Sequence, residues 1–155
     1  MSVYETLEDL VADGLAAGIV LGLDLGTKTI GVAASDPMRS MAMPVETIRK
    51  TKFTADAERL LALIAERKAV AIVLGLPRNM DASEGPRAQS TRAFARNLAQ
   101  KTDVPVVFWD ERLSTVAAER ELIAADASRG KRAQVIDKMA ATFILQGALD
   151  RLRNM

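Results

Sequence analysis

The feature that most restricts the fold is the run Ile19-Val20-Leu21-Gly22-Leu23-Asp24-Leu25, apolar at nearly every position. A strand with one wet face alternates apolar and polar residues. A strand buried on both faces reads as a continuous apolar run. The run therefore predicts a strand inside a sheet that is covered on both sides. Gly26-Thr27-Lys28 supplies a turn, and Thr29–Ser35 forms a second strand, giving a hairpin that ends at Asp36-Pro37. Met41 to Ile48 reads as a third strand. Pro44 places it at an edge, because proline brings no N–H to a ladder.

The remaining chain alternates between the two periods. Ala57, Leu60, Leu61 and Ile64 fall on one face of a helix. Val70–Leu74 is a short apolar strand, stopped by Gly75 and Pro77. Asp81 or Ser83 starts a helix to about Gln100, with Pro86 tolerated in its first turn. Pro105–Trp109 is the next strand. Ser114 or Thr115 caps a helix to about Ala125. Asp126 to Arg132 reads as a basic loop, and Ile136, Met139, Ala140, Phe143, Ile144 and Gly147 mark the inner stripe of a final helix. Residues 4–16 have the pattern of a short amphipathic helix. The order β-β-β-α-β-α-β-α-α predicts an α/β protein, a mixed sheet flanked by helices. The chain has 155 residues with no repeat and no low-complexity linker. One domain over residues 18–155 is expected, with residues 1–17 as an accessory N-terminal segment.

Composition narrows the chemistry. The chain contains no His and no Cys. That removes the usual general base at neutral pH, the Ser-His-Asp and Cys-His nucleophile systems, and zinc sites built on nitrogen or sulfur. An enzyme of this composition must work with carboxylates, lysine or a metal ion. Oxygen-only ligands favour Mg²⁺, Mn²⁺ or Ca²⁺. No apolar run reaches the roughly 18–20 residues of a membrane helix. The N-terminus is acidic where a signal peptide would be basic. A cytoplasmic protein with no membrane partner is expected. With 21 basic and 20 acidic residues, net charge neither supports nor excludes a nucleic-acid partner.

Three acidic positions stand out. Asp24 interrupts the most apolar stretch of the chain, where an ionised carboxylate is costly without a partner or a metal. Its plainer role is a hydrogen bond to the Gly26-Thr27 turn. Asp110-Glu111 lies just past a strand end, where ligands of open α/β sheets gather. A solvated ion pair with Arg112 is the alternative. Asp137 opens the last helix, where an acid suits the dipole, yet it shares a face with Ala141, Ile144 and Ala148, whose alanines let that helix lie close to the sheet. Three acids meeting at strand ends would make a hard-cation site, and two metals about 4 Å apart can drive phosphodiester cleavage without histidine. Lys28 is a candidate phosphate contact or a solvated turn residue. Arg78 and Asn79 either donate to substrate or shape their turn. Arg129, Lys131 and Arg132 either engage a nucleic-acid backbone or form a solvated surface. Trp109 ends an apolar strand and reads as core.

Four segments, taken together, resemble the YqgF family of Holliday-junction-resolvase-like proteins, a family also described as pre-16S rRNA nucleases. They are Gly22-Leu23-Asp24-Leu25-Gly26-Thr27-Lys28-Thr29-Ile30-Gly31-Val32-Ala33, Gly75-Leu76-Pro77-Arg78-Asn79-Met80-Asp81, Asp110-Glu111-Arg112-Leu113-Ser114-Thr115 and Val135-Ile136-Asp137-Lys138-Met139-Ala140-Ala141. They occur in the family's order and cover about residues 18–150. The resemblance implies an RNase H-like fold, with Asp24, Glu111 and Asp137 as the catalytic carboxylates that bind Mg²⁺ or Mn²⁺. It also implies hydrolysis of nucleic acid at the 5′ end of precursor 16S rRNA. The expected partner is precursor rRNA, with branched DNA as the alternative, and the expected state is a monomer or weak homodimer. Three other readings compete. A DNA junction resolvase would use the same site and would present two of them. A phosphotransferase of the actin and sugar-kinase type shares the acidic strand and Gly-rich hairpin but needs two domains, for which the chain has no room. A non-catalytic RNA-binding module of ribosome assembly would leave the acids structural.

Overall fold

The computed structural model describes residues 3–79, 81–113 and 129–155, with side chains from residue 139 onward in the last stretch. Six strands and four α-helices are assigned there: β1 Val3–Tyr4, α1 Leu7–Asp13, β2 Val20–Leu25, β3 Thr29–Ser35, β4 Ala42–Arg49, α2 Phe53–Arg67, β5 Ala71–Leu76, α3 Pro86–Ala99, β6 Val106–Asp110 and α4 Arg129–Arg153, with a 3₁₀ turn at Glu111–Leu113. The sheet order is β1-β6-β5-β2-β3-β4. The β2–β3–β4 meander is antiparallel, while β5, β6 and β1 run parallel to β2. A hairpin start needs only tight turns, whereas each later parallel strand needs a helical crossover. That is why the pattern changes after β4.

Alternation along the strands sorts the core into two layers. Leu21, Leu23 and Leu25 of β2, Ile72, Leu74 and Leu76 of β5, and Val106 and Phe108 of β6 face α2 and α3. Val20, Ala71, Val73, Val107 and Trp109 face α1 and α4. The first layer is built of large side chains. The second is thin on the sheet side, and Gly22 shows why: a Cβ there would stand 2.6 Å from Leu145 Cβ and 3.0 Å from the Ala141 carbonyl oxygen. Helix α4 therefore lies directly on the backbone of β2. Ala140, Ala141, Ile144, Leu145, Ala148 and Leu149 are all fully buried beneath it. At about 25 cal/mol per Å² of apolar surface, such a face supplies much of the drive for docking the helix.

The edge position predicted for the third strand holds, since β4 is the last strand of the sheet. A register shift between Val32 and Ala33 accommodates Pro44 opposite Ala33. Four expectations change. Gly75 does not stop its strand but lies within β5, which runs to Leu76. Arg129, Lys131 and Arg132 belong to the first turn of α4 rather than to a loop, in keeping with the helix propensity of Arg, Lys, Ala and Gln around them. The inner stripe of α4 is rotated from Met139–Phe143 toward Ala141–Leu145, because residues 139–149 are apolar on most sides and leave the choice to the sheet. Residues 3–13 contribute a sixth strand paired to β6, and their helix buries Leu7 and Leu10 in the second layer. The helix expected over residues 114–125, and residues 126–128, lie outside the described residues.

Candidate active site

Asp24 sits one residue before the end of β2 and is 1% exposed. It is two residues from Gly22, so both face α4. On one side it pairs with Gly31 of β3. On the other, Leu23 pairs with Leu74, so the next residues along the two strands are Asp24 and Gly75. Neither flanking position carries a side chain. The Asp24 carboxylate thus occupies a slot open by one strand spacing, about 4.8 Å, on each side. A carboxylate in the interior is stabilised only by hydrogen bonds, cations or metal.

The second acid fills part of that slot. Glu111 begins the 3₁₀ turn that follows β6, and its Oε1 lies 2.9 Å from where a Cβ on Gly75 would stand. Ile144 Cδ1 of α4 is 2.5 Å from the same point, so the carboxylate is on the α4 face. Gly75 is what admits it. A glycine inside a strand often marks such a close approach, and this is the signal the sequence carried. Asp24 and Glu111, 87 residues apart in the sequence, thereby stand over neighbouring strands on the same face of the sheet.

The neighbouring acid points elsewhere. Asp110 is held by Arg112, 2.6 Å between Nη2 and Oδ2, and by Arg78 at 3.4 Å. Asp110 makes the ion pair with Arg112 that was the alternative reading for Asp110-Glu111. The Arg112 guanidinium, with its backbone N–H, holds the Asp110 carboxyl below the usual carboxylate range. A depressed folded-state pKa gives stability that is present above the unfolded value, near 3.9, and fades as pH falls through the folded value. Replacement Asp110→Asn is therefore expected to lower the thermal midpoint at pH 7 and to converge with wild type under acidic conditions. Parallel melting curves down to pH 2 measure this.

Asp137 lies nine residues into α4 rather than at its start. The macrodipole acts within the first turn, so a capping role no longer accounts for an acid at this position. Its backbone stands one turn before Ala141, which packs on Gly22. The C-terminal part of α4 lies beside the start of β2 and the end of β3, where Gln146 accepts from Ala42 N–H. The helix therefore runs opposite to β2. Four residues of helix and two of strand both span about 6 Å. The backbone of residue 137 thus stands at the Asp24 end of the sheet, while its side chain lies outside the described residues.

The expected substrate contacts divide. Lys28 is exposed on the β2–β3 turn. Arg78 is half-buried between Asp110 and Glu84, with Nε 3.5 Å from Glu84 Oε2 yet without a hydrogen bond. Asn79 shapes its turn: its amide donates to Ser83 Oγ, and its backbone exchanges bonds with Ser83 and Ala82. The side chains of Arg129, Lys131 and Arg132 lie outside the described residues. Trp109 is core, with its ring against Gly147. Among the described residues, no three acidic side chains are grouped to hold a metal ion. The described pair is Asp24 and Glu111, and its donors are oxygen only, as Mg²⁺ or Mn²⁺ requires.

Comparison with known proteins adds sequence and fold evidence. The family profile described as "RuvX: Holliday junction resolvase" matches residues 18–151. A Rhodopseudomonas palustris protein (strain BisA53) named "Putative pre-16S rRNA nuclease" is 73% identical over 135 residues, 87% of this chain and 83% of its own. A Cereibacter sphaeroides protein (strain ATCC 17029) of the same name is 64% identical over 150 residues, 97% of this chain and 94% of its own. In structure, the chain is similar to T. thermophilus RuvC in complex with Holliday junction substrate, with TM-score 0.59 and 14% identity, covering 89% of this chain and 97% of that one. The six-stranded mixed sheet with helices on both faces is thus an RNase H-like fold. No helix among the described residues is long and apolar enough to cross a membrane.

Proposed function

Since the chain belongs to the RuvX family of Holliday junction resolvases, we propose that it is a divalent-metal-dependent nuclease acting at the 5′ end of precursor 16S rRNA. The observation that carries this reading is the buried Asp24 carboxylate between Gly31 and Gly75, with the Glu111 carboxylate lying over Gly75. Glycines on both sides leave room beside Asp24 for further oxygen ligands. Asp24, Glu111 and Asp137 would hold the metal. Bound Mg²⁺ or Mn²⁺ supplies a lowered pKa for a coordinated water and charge neutralisation at the leaving oxygen. The chain's own groups orient this chemistry. Asp24 is fixed by two ladders, and Glu111 is fixed by a 3₁₀ turn that the Asp110–Arg112 pair braces. Lys28, on the exposed turn beyond Asp24, would meet the scissile phosphate as a point charge. Arg129, Lys131 and Arg132, one end of α4, would contact the flanking backbone. Water attacks phosphorus, one P–O bond breaks, and the leaving oxygen takes a proton from solvent.

The names of the relatives favour RNA over DNA as the substrate, and the cytoplasm as the compartment. The test is cleavage by purified protein of an RNA carrying the 16S precursor 5′ leader, beside a four-way DNA junction, with Mg²⁺, with Mn²⁺ and with EDTA. Metal-dependent cut of the RNA at the mature 5′ end is the expected result, and full activity in EDTA would reject the metal. Cleavage of the junction alone would assign the site to DNA.

A further inference from the structure

On the opposite face of the sheet from Asp24, the end of β2 opens onto a second cleft, of about 290 Å³, between the β2–β3 turn and the start of α3. Thr27, Lys50, Arg87, Ser90 and Thr91 supply its polar side chains, and no acidic residue lines it among the described residues. Arg87 Nη2 donates to the Leu25 carbonyl at 3.3 Å, and Lys50 Nζ donates to the Gly26 carbonyl at 3.1 Å. Both cations are thus steered onto the two residues that follow Asp24. Neither has a carboxylate within ion-pair range among the described residues. By contrast Arg59, Arg78, Arg92, Arg112, Arg151 and Arg153 are all paired with one. The acids closest to them in sequence are engaged elsewhere: Glu46 pairs with Arg59, Glu84 pairs with Arg92, and the buried Asp56 accepts from the Thr51 N–H and hydroxyl.

We propose that this cleft binds the phosphodiester backbone of the substrate strand next to the cleaved bond, with Lys50 and Arg87 as its phosphate contacts. The inference rests on the nuclease reading for the identity of the polyanion. Each head group uses one N–H on a carbonyl and keeps others, two on the ammonium and four on the guanidinium, for phosphate oxygens. The carbonyls fix where the charges stand without neutralising them. A strand passing over the exposed Lys28 turn would have the carboxylates on one side and this basic cleft on the other. Phosphate contacts of this kind position a nucleic acid without reading its sequence.

The test is binding without cleavage. A fluorescein-labelled single-stranded RNA, and DNA of the same sequence, are titrated with wild-type protein in EDTA across a salt series. Each phosphate contact contributes about 0.7 to the slope of log K against log salt for a single strand. The K50Q/R87Q double variant is expected to lose about 1.4 of that slope on both oligonucleotides. The charge-preserving K50R/R87K variant is expected to keep it, as is K101Q, on an exposed residue at the far end of α3. Melting curves confirm that each variant is folded. A slope unchanged in K50Q/R87Q, lowered equally in K101Q, or absent in wild type would overturn the proposal. Wild-type cleavage with an unchanged variant slope would overturn the cleft alone and leave the nuclease reading standing.

Discussion

Replacement of Asp24 by Asn is expected to suppress RNA cleavage by more than about 100-fold, the upper range for loss of an outer-shell partner of a metal ligand. The same variant should stay folded and keep its RNA affinity in EDTA. Asp24 is 1% exposed inside a sheet whose neighbours on both sides are glycines. Asn has almost the same shape, so packing against α4 is preserved. Its neutral amide removes one of two carboxylates that crowd the α4 face, Glu111 being over the adjacent strand. Without metal, the thermal midpoint should therefore hold or rise. With metal, wild type gains stability from binding and the variant loses most of that gain. Cleavage assays with Mg²⁺ and paired melting curves with Mg²⁺ and with EDTA supply both readouts. Cleavage within tenfold of wild type would remove Asp24 from the chemistry. A collapsed variant would show instead that the carboxylate is structural.

Much of this arrangement was legible in the chain. The continuous run at Ile19–Leu25, the hairpin after it and the proline in the third strand determine a sheet buried on both faces with β4 at its edge. Zero histidine and zero cysteine left carboxylates, lysine or a metal ion to carry any chemistry, and confined a metal site to oxygen ligands. What could not be read was depth. Gly75 looked like a strand terminator because glycine weakens strands, yet its role is to leave a gap that Glu111 enters. Asp110 and Glu111 are indistinguishable as a dipeptide, and only the 3₁₀ turn after β6 sends one to Arg112 and the other over Gly75. The start of α4 was equally hidden. Gly130 and the surrounding basic residues resemble a loop, while propensity summed over Lys, Arg, Ala and Gln favours helix. Lys50 and Arg87 gave no motif at all, because their convergence depends on the hairpin closing against α3.

The glycines give the second large effect, and they separate packing from catalysis. Gly22→Ala places a methyl 2.6 Å from Leu145 Cβ and 3.0 Å from the Ala141 carbonyl oxygen. Neither atom is the tip of a flexible chain, so α4 must lift from β2. Overpacking of this kind costs about 1–3 kcal/mol, and the upper end is expected here. For a chain of this size that lowers the thermal midpoint by about 6–12 °C. Gly75→Ala differs, because its methyl meets Ile144 Cδ1 at 2.5 Å and Glu111 Oε1 at 2.9 Å, both ends of side chains. Stability should fall less than in Gly22→Ala, but the Glu111 carboxylate must leave the Asp24 slot, and kcat should fall at least about tenfold with KM little changed, as for loss of an interaction made in the transition state. A double variant resolves the two contributions. Ile144→Val removes Cδ1, so Gly75→Ala combined with it should recover stability toward that of Ile144→Val alone, which itself costs about 0.5–1.5 kcal/mol. Activity should stay low, because the methyl still excludes Glu111. If cleavage returned together with the melting temperature, the displaced carboxylate would not be the cause, and Glu111 would lose its place in the site.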